Sequence, residues 1–148
     1  ALALIAYAQA FTALCAVKGR TWMYRPLPVA LFGVIGVAGL VLFGLADTPV
    51  GFYVGALCLG VYAGTCFMYM AFHALVHPTR AGRYVGINES LVGLTGIVAP
   101  ASAGMLADHT TLQTPYFVAA VMVAVVICVQ VTVHLGHREA ARSLGSGA

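Results

Sequence analysis

Polar residues interrupt this chain at intervals that leave five apolar runs, over residues 1–17, 27–46, 50–76, 81–107 and 114–136. No run alternates with period two, and open strand edges are not tolerated in lipid, so the pattern predicts helices. At ~1.5 Å per residue, about 20 residues are needed to cross the ~30 Å apolar slab of a bilayer. The last four runs reach that length and the first is marginal. The breaks carry matching turn chemistry: Thr48-Pro49 and Thr114-Pro115 each set a capping hydroxyl before a proline in the first turn, and Thr79 is placed to cap the fourth helix. The predicted fold is therefore all-α, a polytopic transmembrane helical bundle forming one partial domain over 1–148, with a tail at 137–148. The short turns make successive helices antiparallel neighbours.

Composition sharpens this picture by exclusion. The chain is 61% apolar and 7% charged, whereas a water-soluble domain carries roughly a quarter charged residues. The opening Ala1-Leu2-Ala3-Leu4, without an initiator Met or a basic flank, is expected to be an internal start, which makes the chain a piece of a longer protein. Cys15, Cys58, Cys66 and Cys128 stand singly in apolar stretches and read as small packing residues, not as disulfides or zinc ligands.

Charge then orients the bundle. All seven basic residues, Lys18, Arg20, Arg25, Arg80, Arg83, Arg138 and Arg142, fall at the first loop, the third loop or the tail. The second and fourth connections carry Asp47 and Asp108 and no Lys or Arg. The excess of Lys and Arg in cytoplasmic loops predicts a multi-pass protein of a prokaryotic cytoplasmic membrane with a cytoplasmic C-terminus. The net charge of +3 thus reports topology, with the lipid bilayer as partner and no nucleic acid. Trp22, Tyr24 and Tyr84 near one boundary, and Tyr53 and Tyr116 near the other, suit interfacial anchoring.

Function is sought among the polar groups inside the spans, because these are costly in lipid. The second and fifth runs are nearly free of them and are expected to face lipid all round. In the third run, Tyr62, Thr65, Cys66, Tyr69 and His73 fall within one helical face. In the fourth, Asn88, Thr95 and Ser102 recur every seven residues as a polar stripe, while Gly82, Gly86, Gly93 and Gly104 line another side with Pro100. Small residues permit close helix approach, and Pro100 withholds the donor for the Gly96 carbonyl, a place for a bend.

The polar loop and helix Arg80-Ala81-Gly82-Arg83-Tyr84-Val85-Gly86-Ile87-Asn88-Glu89, followed by Gly93, Gly96, Ala99-Pro100, Gly104 and Leu106-Ala107-Asp108, resembles the C-terminal half of a major facilitator superfamily transporter. The likeness extends over nearly the whole chain as its last five helices. Two departures stand out: Ala99 where many members have Gly before the Pro, and a Lys18-Gly19-Arg20 loop without the Asp common in the family's loop motif. The resemblance implies secondary active transport of a small molecule by alternating access, no cofactor, no enzymatic activity, and an N-terminal half of the same chain as partner. Tyr62, Tyr69, His73, Asn88, Glu89 and Thr95 are then the cavity or coupling candidates. Arg80 and Arg83 are candidates for a cytoplasmic gate, against the plainer role of headgroup contact. Gly86, Gly93, Gly96, Pro100 and Gly104 are candidates for packing or hinge positions.

Glu89 is the carboxylate well inside a span, and His73 and Tyr69 lie at a similar depth across the hairpin. The three either form a fixed hydrogen-bonded staple or allow Glu89 to bind and release a proton. Tyr62 and Tyr69 suit an aromatic or sugar-like substrate, or simply a neighbouring helix. Two other classes compete. His73 and His77, spaced i, i+4, fit a membrane metalloenzyme with histidine-box ligands, although no second box exists and no metal site is assigned. A non-transporting membrane anchor or receptor subunit would use the polar stripes for packing alone. The chain has no G-x-x-x-x-G-K-[ST] segment and no G-x-S-x-G turn.

Overall fold

The computed structural model describes residues 2–18, 22–23, 26–76 and 79–145, with side chains for all of these but Pro26 and 137–145. Five helices follow one another: α1 (Leu2–Lys18), α2 (Pro26–Leu45), α3 (Pro49–Leu75), α4 (Ala81–His109) and α5 (Thr114–Gly145), and the described residues contain no strand. Leu27–Leu45, Pro49–Leu75, Ala81–His109 and Thr114–Gly136 are long and apolar enough to cross a membrane, while α1, at 17 residues, is shorter. Arg20, Tyr24, Arg25 and His77, and the side chains of His137, Arg138 and Arg142, lie outside the description.

Local chemistry sets the helix starts. Thr48 holds an extended backbone (φ −121°, ψ 147°), and its hydroxyl accepts from the Gly51 N–H at 3.4 Å, with Pro49 in the first turn. The start of α5 has Pro115 in its first turn and a Thr111–Thr114 hydroxyl pair at 2.8 Å. Thr79 does not cap α4. The N-cap is Arg80, without a side-chain cap bond, one residue later than expected. Nor does α5 stop at the membrane boundary: it continues to Gly145, as nothing in His137-Arg138-Glu139-Ala140-Ala141 breaks a helix.

The packing is organised by α2 and α3. Lipid tails are as apolar as leucine, so little hydrophobic force draws the helices together and close contact must hold them. Glycines allow it. A Cβ at Gly36 would stand 2.5 Å from Cγ of Tyr62, and one at Gly39 would stand 3.0 Å from the Gly55 carbonyl oxygen, so α2 and α3 meet almost backbone to backbone. Gly60 and Gly64 do the same against Ile5, Ala8 and Gln9 of α1, and Gly33 and Gly44 receive Ile127 and Phe117 of α5. Phe43 ties three helices together, edge-on to Phe52 at 5.6 Å and stacked on Tyr116 at 5.5 Å.

Two expectations are corrected. The α2 helix does not face lipid all round; Val29, Ala30, Leu40 and Phe43 are buried, and it has the largest buried share of the four long spans. Its lack of polar side chains marks a helix between helices as well as it marks a lipid wall. Conversely α4, richest in polar and glycine positions, has no buried residue. A Cβ at Gly82, Gly86, Gly93, Gly96 or Gly104 would meet nothing within 4 Å. The α4 helix touches α3 and α5 along much less of its length than α2 does, closing a ring α3–α2–α5–α4 with α1 outside against α3.

Candidate functional site

The hairpin α3–α4 holds the candidate site. From α3, Tyr69, Met70, His73 and Ala74 repeat at i, i+1, i+4 and i+5, which keeps them on one face. From α4, Tyr84, Ile87, Asn88 and Leu91 do so at i, i+3, i+4 and i+7. The two faces line a cavity of about 510 Å³ that is broadly open to the surface. That volume lies within the range of roughly 300–1,000 Å³ that small-molecule sites occupy.

Its polar groups are few. The Tyr69 and His73 rings meet edge to face at 4.3 Å, and Phe72 meets His73 at 5.4 Å. Tyr69 is partly buried and His73 is exposed at the cavity wall. The Asn88 amide faces them from α4. Met70, Ile87 and Leu91 supply the apolar remainder. No Asp, Glu, Lys or Arg belongs to the lining, so the cavity offers a phenol, an imidazole and an amide among apolar side chains.

The sequence-derived candidates divide. Tyr69, His73 and Asn88 come together. Tyr62 does not join them, although it shares their helical face in sequence: its ring rests on Gly36 of α2, and it is outside the cavity lining. Thr65, also on that face, is buried and donates its hydroxyl to the Val61 carbonyl at 2.9 Å. Thr95 lies beyond the cavity, exposed, its hydroxyl donating to Leu91 at 2.7 Å, and Ser102 donates to Ala99 at 3.0 Å. Arg80 and Arg83 stand at the start of α4, at the cavity's end of the helix.

Glu89 is outside the lining and exposed. One residue after Asn88, it is turned 100° around the helix and lies with Gly82, Gly86, Gly93, Gly96 and Pro100. The 29 residues of α4 span ~43 Å, so an upright, centred helix overhangs a ~30 Å slab by ~7 Å at each end. Glu89, eight residues past Ala81, is then ~5 Å inside the apolar zone, while Thr95 is at its middle. Neither the staple to His73 nor one to Tyr69 forms among the described residues.

Tyr84 is the cavity residue that sequence reasoning assigned to interfacial anchoring instead. Its signal was the i, i+4, i+7 relation to Asn88 and Leu91. For the histidine-box reading, the described residues contain no group of three or more His, Cys, Asp or Glu able to hold a metal, and His77 is not among those residues. Compared with known proteins, the chain matches no family model, no curated protein and no solved structure.

Proposed function

We propose that the chain is one half of a two-lobed secondary transporter of the major facilitator type, moving a small molecule by alternating access. One observation carries this reading. The α4 helix presents a carboxylate, Glu89, on a glycine face that no described residue covers. An ionised carboxyl costs on the order of 2.5–3.5 kcal/mol at the centre of the bilayer on insertion scales, and less, though still a penalty, at the depth of Glu89. Such a face is suited to a second protein body, with Glu89 meeting its partner there. The neighbouring face of α4, through Asn88, contributes to the cavity. In this arrangement the Tyr69–His73–Asn88 cavity opens toward the interface between lobes, where transporters of this architecture bind their cargo. The basic ends of the bundle, at Lys18, Arg80 and Arg83, face the cytoplasm.

The intact protein, reconstituted in liposomes enclosing a pH-sensitive dye, tests both parts against a panel of neutral and weakly charged aromatic and sugar-like compounds. Gly93→Leu is expected to abolish transport while the protein stays monodisperse and helical; full transport by this variant would remove the interface. Glu89→Gln is expected to abolish pH-driven movement and to spare exchange of substrate across the membrane. If Glu89→Gln loses neither, Glu89 has no part in coupling.

The anchor or receptor reading draws on a separate observation. The donors of Thr95 and Ser102 are spent within α4, as in a stripe used for packing. Under that reading Gly93→Leu disrupts assembly with a partner, and no compound on the panel is transported.

A further inference from the structure

On the other side of α3 lies a second cavity, of about 280 Å³ and more enclosed than the first, where α1, the α1–α2 connection, α2 and α3 converge. By residue name its wall is mixed, with Thr12, Trp22 and Thr65 beside Val29, Phe32 and Met68. By hydrogen bonding it is not. Thr12 donates to the Ala8 carbonyl at 2.8 Å, Thr65 donates to Val61 at 2.9 Å, and the Trp22 indole N–H donates to Ala16 at 2.8 Å. Threonines bonded back to their own helix offer a guest chiefly methyl groups, and a spent indole offers its ring. The volume is roughly twice the ~150 Å³ of an apolar cavity that stays dry and takes benzene.

The surroundings of the opening suit an acyl chain. Cys15, at the rim, is exposed, and so are the large apolar side chains Leu14, Val17, Leu27 and Leu31 on the same ends of α1 and α2. In a chain with helices long and apolar enough to cross a membrane, acyl chains would lie against this surface. Lys18 follows Cys15 by three residues, hence on the same face of α1, at the helix end. We propose that this cavity is a lipid site: one acyl chain of an anionic lipid or fatty acid enters between Trp22, Phe32 and Met68, with its headgroup at Lys18. The site is separate from the α3–α4 cavity and independent of whether the protein transports.

Trp22 is this chain's one tryptophan and reports occupancy directly. The intact protein, with any tryptophan outside this chain replaced by phenylalanine, is titrated in detergent at low salt with dibromostearic acid, whose bromines quench indole fluorescence on contact. Quenching is expected to saturate near one equivalent and to be reversed by unbrominated stearate. Ala16→Phe, which fills the cavity, should weaken this component at least about tenfold. Lys18→Gln should weaken it about fivefold, the worth of one basic group near an anionic headgroup. Quenching in the unmutated protein that rises linearly and is not displaced by stearate overturns the proposal, with no need of the variants. So does saturable quenching by bromobenzene that stearate leaves untouched, which would make the cavity a site for small rings. Equal affinity in Lys18→Gln overturns the headgroup placement.

Discussion

Gly36→Ala offers the sharpest test of how the bundle is held. The added methyl would lie 2.5 Å from Cγ of Tyr62, 2.6 Å from Cδ1 and 2.9 Å from Cβ. Because the Tyr62 Cβ is fixed to the backbone, a ring rotation alone leaves one of these contacts too short, and α2 must move off α3. Overpacking of this kind costs about 1–3 kcal/mol. The same substitution gains up to ~1 kcal/mol of helix propensity, so the clash is isolated by a second glycine. Gly136, in α5, has nothing within 4 Å of its added Cβ and gains the propensity alone. In equilibrium unfolding of the intact protein by detergent titration, Gly36→Ala should fall about 1–3 kcal/mol below Gly136→Ala. Tyr62→Gly, which removes both the ring and the Cβ, should then relieve it, so that the double variant is more stable than the sum of the single changes by more than ~0.5 kcal/mol. Equal stabilities of Gly36→Ala and Gly136→Ala, or additive effects of the Tyr62 and Gly36 changes, would refute the close α2–α3 contact.

Other outcomes follow from single groups. Phe43→Ala removes the ring that α2 sets against Phe52 and Tyr116 and should cost about 3 kcal/mol or more in the same titration; Phe43→Leu should recover part of it. Thr48→Ala deletes the hydroxyl that caps α3 and should lower stability by about 0.5–2 kcal/mol, with Thr48→Ser close to the original. Asn88→Leu takes an amide out of an otherwise largely apolar wall, so stability should hold within about 0.5 kcal/mol, while under the proposed function the binding of any panel compound that the unmutated protein takes up, measured by isothermal titration, is lost. A large fall in stability would instead make Asn88 a structural residue.

The helices were legible in the sequence because a bilayer leaves the backbone few choices. Once a run of about 20 apolar residues is found, its structure is nearly decided, and threonine-proline pairs mark two of the starts. The failures have physical causes as well. Thr79 was a plausible cap by composition, but capping depends on which residue keeps a non-helical backbone, and here that is Arg80. The burial of α2 was hidden because an apolar helix looks alike beside lipid and beside other helices. Its signal was the spacing of glycines: Gly33, Gly36, Gly39 and Gly44 on α2, with Gly55 of α3 against Gly39. Attention to the glycines of α4 missed the ones that make contact within the chain. In the cavity, helical spacing correctly grouped Tyr69 with His73. It did not reveal that Tyr62, two turns earlier on the same face, packs on a different neighbour, because which helix lies against each turn is a tertiary property that no single-helix projection contains.

The central position of α2 also bears on the order in which the protein is made. Its grooves at Gly33 and Gly44 receive Ile127 and Phe117, which belong to α5, made after the other four of these helices. About 70 residues separate the end of α2 from the start of α5, so at ~5–20 residues per second roughly 4–14 s pass between them at the ribosome. During that interval α2 is already held by α3 on one flank, yet the other flank stands open to whatever lies in the membrane nearby. A nascent chain stalled before Thr114 would therefore display an apolar groove of the right shape for a foreign helix.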